Sequence, residues 1–156
     1  LIERVVTVTG QGIKEPKNLL VRIGTQFKEL IQNCGGLEPD TKKIINGGPM
    51  MGIAQHTVDV PVIKGTSGVL ALTEDMTADA KEFKCIRCGT CVNTCPMGLV
   101  PTRIARLIEF EKLNMAEEMG ALSCIECGSC AYVCPSNIPL VQRIKIGKQL
   151  INDKNS

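Results

Sequence analysis

The apolar positions follow different rules in the two halves of the chain. Up to residue 73 they form short β-branched runs set off by glycine. Val5, Val6 and Val8 within Arg4 to Val8 keep a strand-like rhythm, and Gly10, Gly12 and Pro16 punctuate the turn region that follows. Leu19 to Ile23 predicts a second strand. Thr25 stands where an N-cap belongs, with Phe27, Leu30 and Ile31 at helical spacing and Gly35-Gly36 as the stop. Lys43 to Asn46 predicts a third strand. Val58 to Ile63 and Val69 to Leu72 predict two more, separated by Gly65-Thr66-Ser67-Gly68. This is the pattern of a small α+β unit whose sheet has to pack on a single helix.

Beyond residue 100 the period becomes helical. Pro101 and Thr102 start a helix whose Ile104, Leu107 and Ile108 form one stripe, and Met115 to Met119 is a shorter piece ended by Gly120. Leu140, Val141, Ile144, Leu150 and Ile151 mark a last helix after Asn137 and Pro139, with Asn152 to Ser156 expected to fray. The polar stretch Glu74 to Lys84, with Ala78 and Ala80, reads as a linker or short helix. The expected organisation is therefore a unit over 1–73, a linker over 74–84 and a second unit over 85–156.

The second unit carries the chemistry. Cys85, Cys88, Cys91 and Cys95 read CIRCGTCVNTCP through Pro96, and Cys124, Cys127, Cys130 and Cys134 read CIECGSCAYVCP through Pro135. Both are C-x2-C-x2-C-x3-C-P, the spacing of paired 4Fe–4S clusters in which the fourth cysteine serves the other cluster. Three thiolates within seven residues form a cup over three corners of a cube. Gly89 and Gly128 let the backbone turn against the sulfurs, and the proline after the fourth cysteine makes the chain leave abruptly. On this reading Cys85, Cys88, Cys91 and Cys134 hold one cluster, and Cys124, Cys127, Cys130 and Cys95 the other. The simpler alternative gives each cluster the four cysteines of its own motif. Zinc also uses paired Cys-x2-Cys, but takes four ligands per ion from spaced pairs. Overlaying the motifs exposes a 39-residue repeat in which Arg87 stands where Glu126 stands in the second copy. The positive charge of Arg87 should make the first-motif cluster the easier one to reduce.

Composition narrows the function classes. Of 156 residues 44% are hydrophobic but only 3% aromatic, so cores must be built from aliphatic side chains. The formal charge of +2 omits the metal. Roughly two negative charges per oxidised cluster would make the loaded protein acidic, which argues against nucleic-acid binding. No apolar run has the length of a membrane span. No nucleophile–base pair accompanies the cysteines, so a self-contained enzyme is disfavoured and no catalytic residue is assigned. The loop Gly47-Gly48-Pro49-Met50-Met51-Gly52 lacks the lysine and hydroxyl residue of a P-loop and reads as a strand-connecting turn. Cys34, the ninth cysteine, reads as a small buried side chain, and His56, the one histidine, as an ordinary surface or core residue.

Taken together, CIRCGTCVNTCPMGLVP, CIECGSCAYVCPSNIPLVQ and the upstream INGGPMMG resemble the C subunit of the Rnf electron-transport complex over nearly the whole chain. The resemblance implies a soluble-ligand-binding β-grasp domain followed by an α-helical ferredoxin domain. It implies a peripheral subunit on the cytoplasmic face of a membrane complex, partnered by the other subunits, that relays electrons between ferredoxin and NAD and is coupled to ion transport. In that family a flavin- and nicotinamide-binding domain precedes the β-grasp unit. FMN and NAD are thus expected only there, and no residue of this chain is assigned to them. The start at Leu1, without methionine and directly before a strand-like run, reads as a piece of a longer polypeptide. A cobalamin-reductase-like subunit of metabolic microcompartments shares the domain order, and its iron–sulfur part is the alternative reading.

Overall fold

The structure, a computed structural model, describes residues 1–77 and 81–155. Positions 78–80 of the expected linker and Ser156 lie outside the described residues. The chain divides into two compact units, Leu1–Asp79 and Ala80–Ser156.

The first unit is a five-stranded mixed sheet packed on one helix. Its elements are β1 (Glu3–Thr9), β2 (Lys17–Arg22), α1 (Phe27–Asn33), β3 (Thr41–Asn46), β4 (Ile53–Gln55), β5 (Gly68–Thr73) and the single turn α2 (Glu74–Thr77). The strand order is β2-β1-β5-β3-β4. β1 pairs antiparallel with β2, Val5 opposite Leu20, and parallel with β5, Val8 opposite Val69. Alternation on β1 and β5 turns Val6, Val8, Val69 and Ala71 inward, where they meet Phe27, Leu30 and Ile31 of α1.

Two expectations fail here for one reason. Val58 to Ile63 is not a strand, and Thr25 does not cap α1. The helix starts after Gln26 with no side-chain cap. Its orphan N–H groups are satisfied by the 58–62 segment instead: Phe27 N–H donates to Val60 O at 2.9 Å and Lys28 N–H to Val58 O at 3.1 Å. Pro61 has no N–H to give a ladder. The segment is therefore spent as a backbone cap, anchored by Val62, which is fully buried. The extra strand is β4, whose three residues carry too little pattern to predict. The Gly47–Gly52 loop is the turn that joins β3 to β4, and a Cβ at Gly52 would lie 2.3 Å from Ile45 Cγ2.

The second unit is helical: α3 (Thr90–Asn93), α4 (Pro101–Glu109), α5 (Leu113–Glu118), α6 (Ser129–Tyr132) and α7 (Leu140–Asn155). Ile104, Ala105 and Ile108 of α4 face Leu140, Ile144 and Ile151 of α7 across the core. α7 continues past the buried Ile151 to Asn155, and Lys154 Nζ donates to Asn114 Oδ1 at 2.7 Å, which ties the end of α7 to α5. The repeat explains how α4 and α7 approach. Each starts six residues after its motif's fourth cysteine, so Ile108 and Gly147 are equivalent positions. They also meet: a Cβ on Gly147 would lie 2.2 Å from Ile108 Cδ1. Two equivalent isoleucines could not share this contact, and the sequence breaks the symmetry with glycine.

Gly147→Val should therefore destabilise the helical unit by about 1–3 kcal/mol through overpacking, and Ile108→Ala in the same chain should recover part of that loss. Thermal unfolding followed by circular dichroism measures both. Losses that simply add would contradict the contact.

Candidate iron–sulfur centre

Each cysteine motif builds its cup from the same local devices. Arg87 and Glu126 hold left-handed backbone, at φ 59° and 58°. A non-glycine residue pays a conformational penalty there. The turn aims each N–H at the first cysteine of its own motif, Arg87 N–H to Cys85 Sγ and Glu126 N–H to Cys124 Sγ, both 3.4 Å. Gly89 and Gly128, at φ 76° and 82°, then open the short helices α3 and α6. The first residue of each helix is a hydroxyl amino acid. Thr90 Oγ1 donates to Cys88 Sγ at 3.3 Å, and Ser129 Oγ lies 3.4 Å from Cys127 Sγ. After the first motif, Leu99 N–H donates to Cys95 Sγ at 3.4 Å.

The third cysteine of each motif is carried inward on its short helix, and Cys91 and Cys130 are both buried. The fourth cysteines go elsewhere. One cavity, with about 360 Å³ of atom-free space, is lined by Cys85, Cys88, Cys91 and Cys134 and closed by Ile138 and Leu140. The other, about 350 Å³, is lined by Cys95, Cys124, Cys127 and Cys130 and closed by Leu99, Val141 and Ile144. All eight motif cysteines thus come together in two groups, each of three cysteines from one motif and the fourth of the other. Among the described residues no three His, Cys, Asp or Glu side chains close on a single-ion point; the sulfurs stand around a space instead.

The electrostatics follow from burial and hydrogen bonding. The hydroxyl of Thr90 lowers the Cys88 thiol below its ordinary pKa, and that of Ser129 lowers Cys127. Burial raises Cys91 and pushes Cys130 up to about 11. Glu126 is held ionised by Lys148, whose Nζ lies 2.7 Å from its carboxylate, with Lys145 Nζ at 3.7 Å. Lys148 Nζ also donates to Cys124 O at 2.8 Å. The contrast expected between Arg87 and Glu126 is accordingly weakened, because the negative charge at the second cup is neutralised in place. The sequence offered no sign of this, since Lys148 lies 22 residues from Glu126. The hydroxyls were missed as well, although Thr90 and Ser129 coincide in the repeat, a signal that could have found them.

Outside the cups, Cys34 is fully buried at the end of α1, its thiol raised by burial, and His56 is exposed. Neither joins a sulfur cluster.

Two family models cover most of the chain: the SLBB domain over residues 5–54 and the 4Fe-4S dicluster domain over residues 78–135. The protein is a mixed α+β iron–sulfur protein that carries both. It is homologous, over most of its length, to the C subunits of Rnf-type ion-translocating oxidoreductase complexes. It is 52% identical over 76% of its length to the C subunit of the proton-translocating ferredoxin:NAD(+) oxidoreductase complex of Clostridium ljungdahlii. It is 49% identical over its full length to the C subunit of the ion-translocating oxidoreductase complex of Rhodobacter capsulatus. The C subunit of the Na(+)-translocating ferredoxin:NAD(+) oxidoreductase complex of Acetobacterium woodii is 45% identical over 97% of the chain. The chain spans 26%, 30% and 34% of the lengths of these relatives, respectively.

The donor set fits iron–sulfur ligation: soft sulfurs around a space, with N–H and O–H donors already turned to several of them. Ligation requires thiolates, so assembly is opposed as pH falls, most at the thiols that burial holds protonated. In the iron-free chain at mildly alkaline pH, Cys88 and Cys127 should be alkylated several-fold faster than Cys91 and Cys130, read by mass spectrometry. Thr90→Val should slow Cys88 alone. Equal rates at all four would contradict the hydrogen-bonded thiols.

Proposed function

We propose that this chain is the iron–sulfur relay of an Rnf-type complex: a β-grasp domain followed by a helical ferredoxin domain that holds two 4Fe–4S clusters and passes electrons between a flavin/NAD site and other redox subunits. The single observation that carries the reading is the crossing of Cys95 and Cys134, each of which lines the cavity of the opposite motif. One cluster would take Cys85, Cys88, Cys91 and Cys134, the other Cys124, Cys127, Cys130 and Cys95. A β2-β1-β5-β3-β4 sheet with one packed helix supports the β-grasp assignment. The proposed division places the β-grasp domain at 1–73, a linker at 74–84 and the ferredoxin domain at 85–156.

When bound, such clusters supply one-electron redox chemistry. The chain's own residues do the rest. The short helices and αL turns orient the sulfurs, Thr90 and Ser129 stabilise thiolate charge, and Leu140 and Ile144 keep water from the inner faces. Charge near the cups then sets how easily each centre accepts an electron: Arg87 at the first, and the Lys148–Glu126–Lys145 group at the second.

No described helix is long and apolar enough to cross a membrane. We place the chain at the cytoplasmic face of the membrane, held peripherally by other subunits, as the homology to proteins of such complexes supports. FMN and NAD would belong to a domain N-terminal to the β-grasp unit. The homologues' names favour this reading over the cobalamin-reductase-like alternative.

Anaerobically prepared chain should contain about eight iron and eight sulfide and take up about two electrons, and by itself should not oxidise NADH. Zinc without sulfide would overturn the reading, and NADH turnover by this chain alone would overturn its role as a relay.

A further inference from the structure

The two cavities differ in what surrounds them. At the first, Cys85 and Cys88 are exposed; at the second, Cys124 and Cys127 are half-buried. Next to the first cavity lies an open groove with about 1020 Å³ of atom-free space, which shares Cys85, Arg87, Thr102, Ile138 and Leu140 with it. Lys84, Arg87 and Arg106 line this groove, and Arg103 stands with Arg106 in the adjoining hollow along α4.

The groove's four cations, Lys84, Arg87, Arg106 and Arg143, outnumber its two carboxylates. Glu82 and Glu109 are both taken by Arg143, whose guanidinium lies 2.8 Å from Glu82 and 3.5 Å from Glu109. Among the described residues no ion pair holds Lys84, Arg87, Arg103 or Arg106. At the second cavity the reverse holds, since Glu126 engages both nearby lysines. Phe83 in the groove, Ile86 at the first cavity and Phe110 in the adjoining hollow add exposed apolar surface. An apolar patch rimmed by unpaired charge of one sign is the anatomy of a steered, transient docking face.

Resting on the relay reading above, we propose that this groove is the docking face for an acidic iron–sulfur protein or domain, and that the cluster of the first cavity is the chain's outward electron port. Carboxylates around the partner's own centre would meet Arg87, Arg103, Arg106 and Lys84 and bring that centre against the exposed Cys85–Cys88 edge. In the step, the partner's reduced centre loses one electron and the oxidised first cluster gains it; no bond breaks and no proton moves. The same face serves the reverse direction. The second cluster, behind half-buried sulfurs, exchanges electrons through the first.

The test uses the iron-loaded chain and a reduced small acidic two-cluster ferredoxin as probe, mixed anaerobically in a stopped-flow instrument. The second-order rate should fall about tenfold or more between low and high salt, as screening of a charged encounter requires. Arg103→Glu with Arg106→Glu should slow it about tenfold at low salt, whereas Lys28→Glu on α1 should not. Arg87 is left in place because its charge also acts on the cluster. Because Arg106 lies over the Phe110 ring at 5.7 Å, Lys84→Glu provides a second variant that leaves α4 untouched. Iron content and reduction by an electroneutral zwitterionic viologen should stay unchanged in every variant. Rates indifferent to salt and to both variants would overturn the proposal, as would equal slowing with the viologen. A chain dimer dissociated by the arginine variants would also overturn it, by showing that the groove seats a second copy. A chain that binds no iron fails the relay reading itself, which the iron assay reports separately, and takes the port with it.

Discussion

The helical unit depends on where a backbone can go after three cysteines have formed a cup. The third cysteine sits on a one-turn helix and the fourth follows four residues later, with proline behind it. By then the chain has passed out of its own cup. Cys95 therefore lies with Cys124, Cys127 and Cys130, and Cys134 with Cys85, Cys88 and Cys91. Each cavity is in consequence shared between segments 39 residues apart in sequence. Packing of α4 on α7 is the other half of the same constraint, since each helix starts shortly after a crossing cysteine. With few aromatic residues to fill space, the unit closes its cavities with Leu99, Ile138, Leu140, Val141 and Ile144 and brings α4 close to α7 at Gly147.

Near-symmetry makes the departures from it informative. Ile108 opposite Gly147 is a steric departure, required because equivalent positions face each other. Arg87 opposite Glu126 is an electrostatic one. At the first cup the charge is left free at an exposed edge; at the second it is bound by Lys148 and Lys145 from α7, which also fixes that helix to the cup. A duplicated scaffold thus presents two unlike environments to chemically similar sulfurs.

Much of this was legible in the sequence because the signals are local. The cysteine spacing, the glycines that open α3 and α6, Pro101 at the start of α4 and the alternation of β1 each express a short-range rule. What escaped was set by partners far along the chain. The cap of α1 comes from Val58 and Val60, so Thr25 misled and a strand was expected where a capping segment runs. The last turn of α7 is held by Asn114, which no rule about chain ends could anticipate. The short helices α3 and α6 were hidden inside the motifs, where cysteine spacing dominates any periodicity. Left-handed Arg87 and Glu126 carry no glycine to announce them.

The crossed sulfurs are tested most directly by single cysteine substitutions read by low-temperature EPR of the reduced, iron-loaded chain. Cys134→Ala should alter the same cluster signal as Cys85→Ala, although these residues lie 49 positions apart, and leave the signal altered by Cys124→Ala in place. If Cys134→Ala and Cys124→Ala perturb the same signal, each motif closes on its own cluster and the account of the helical unit is wrong.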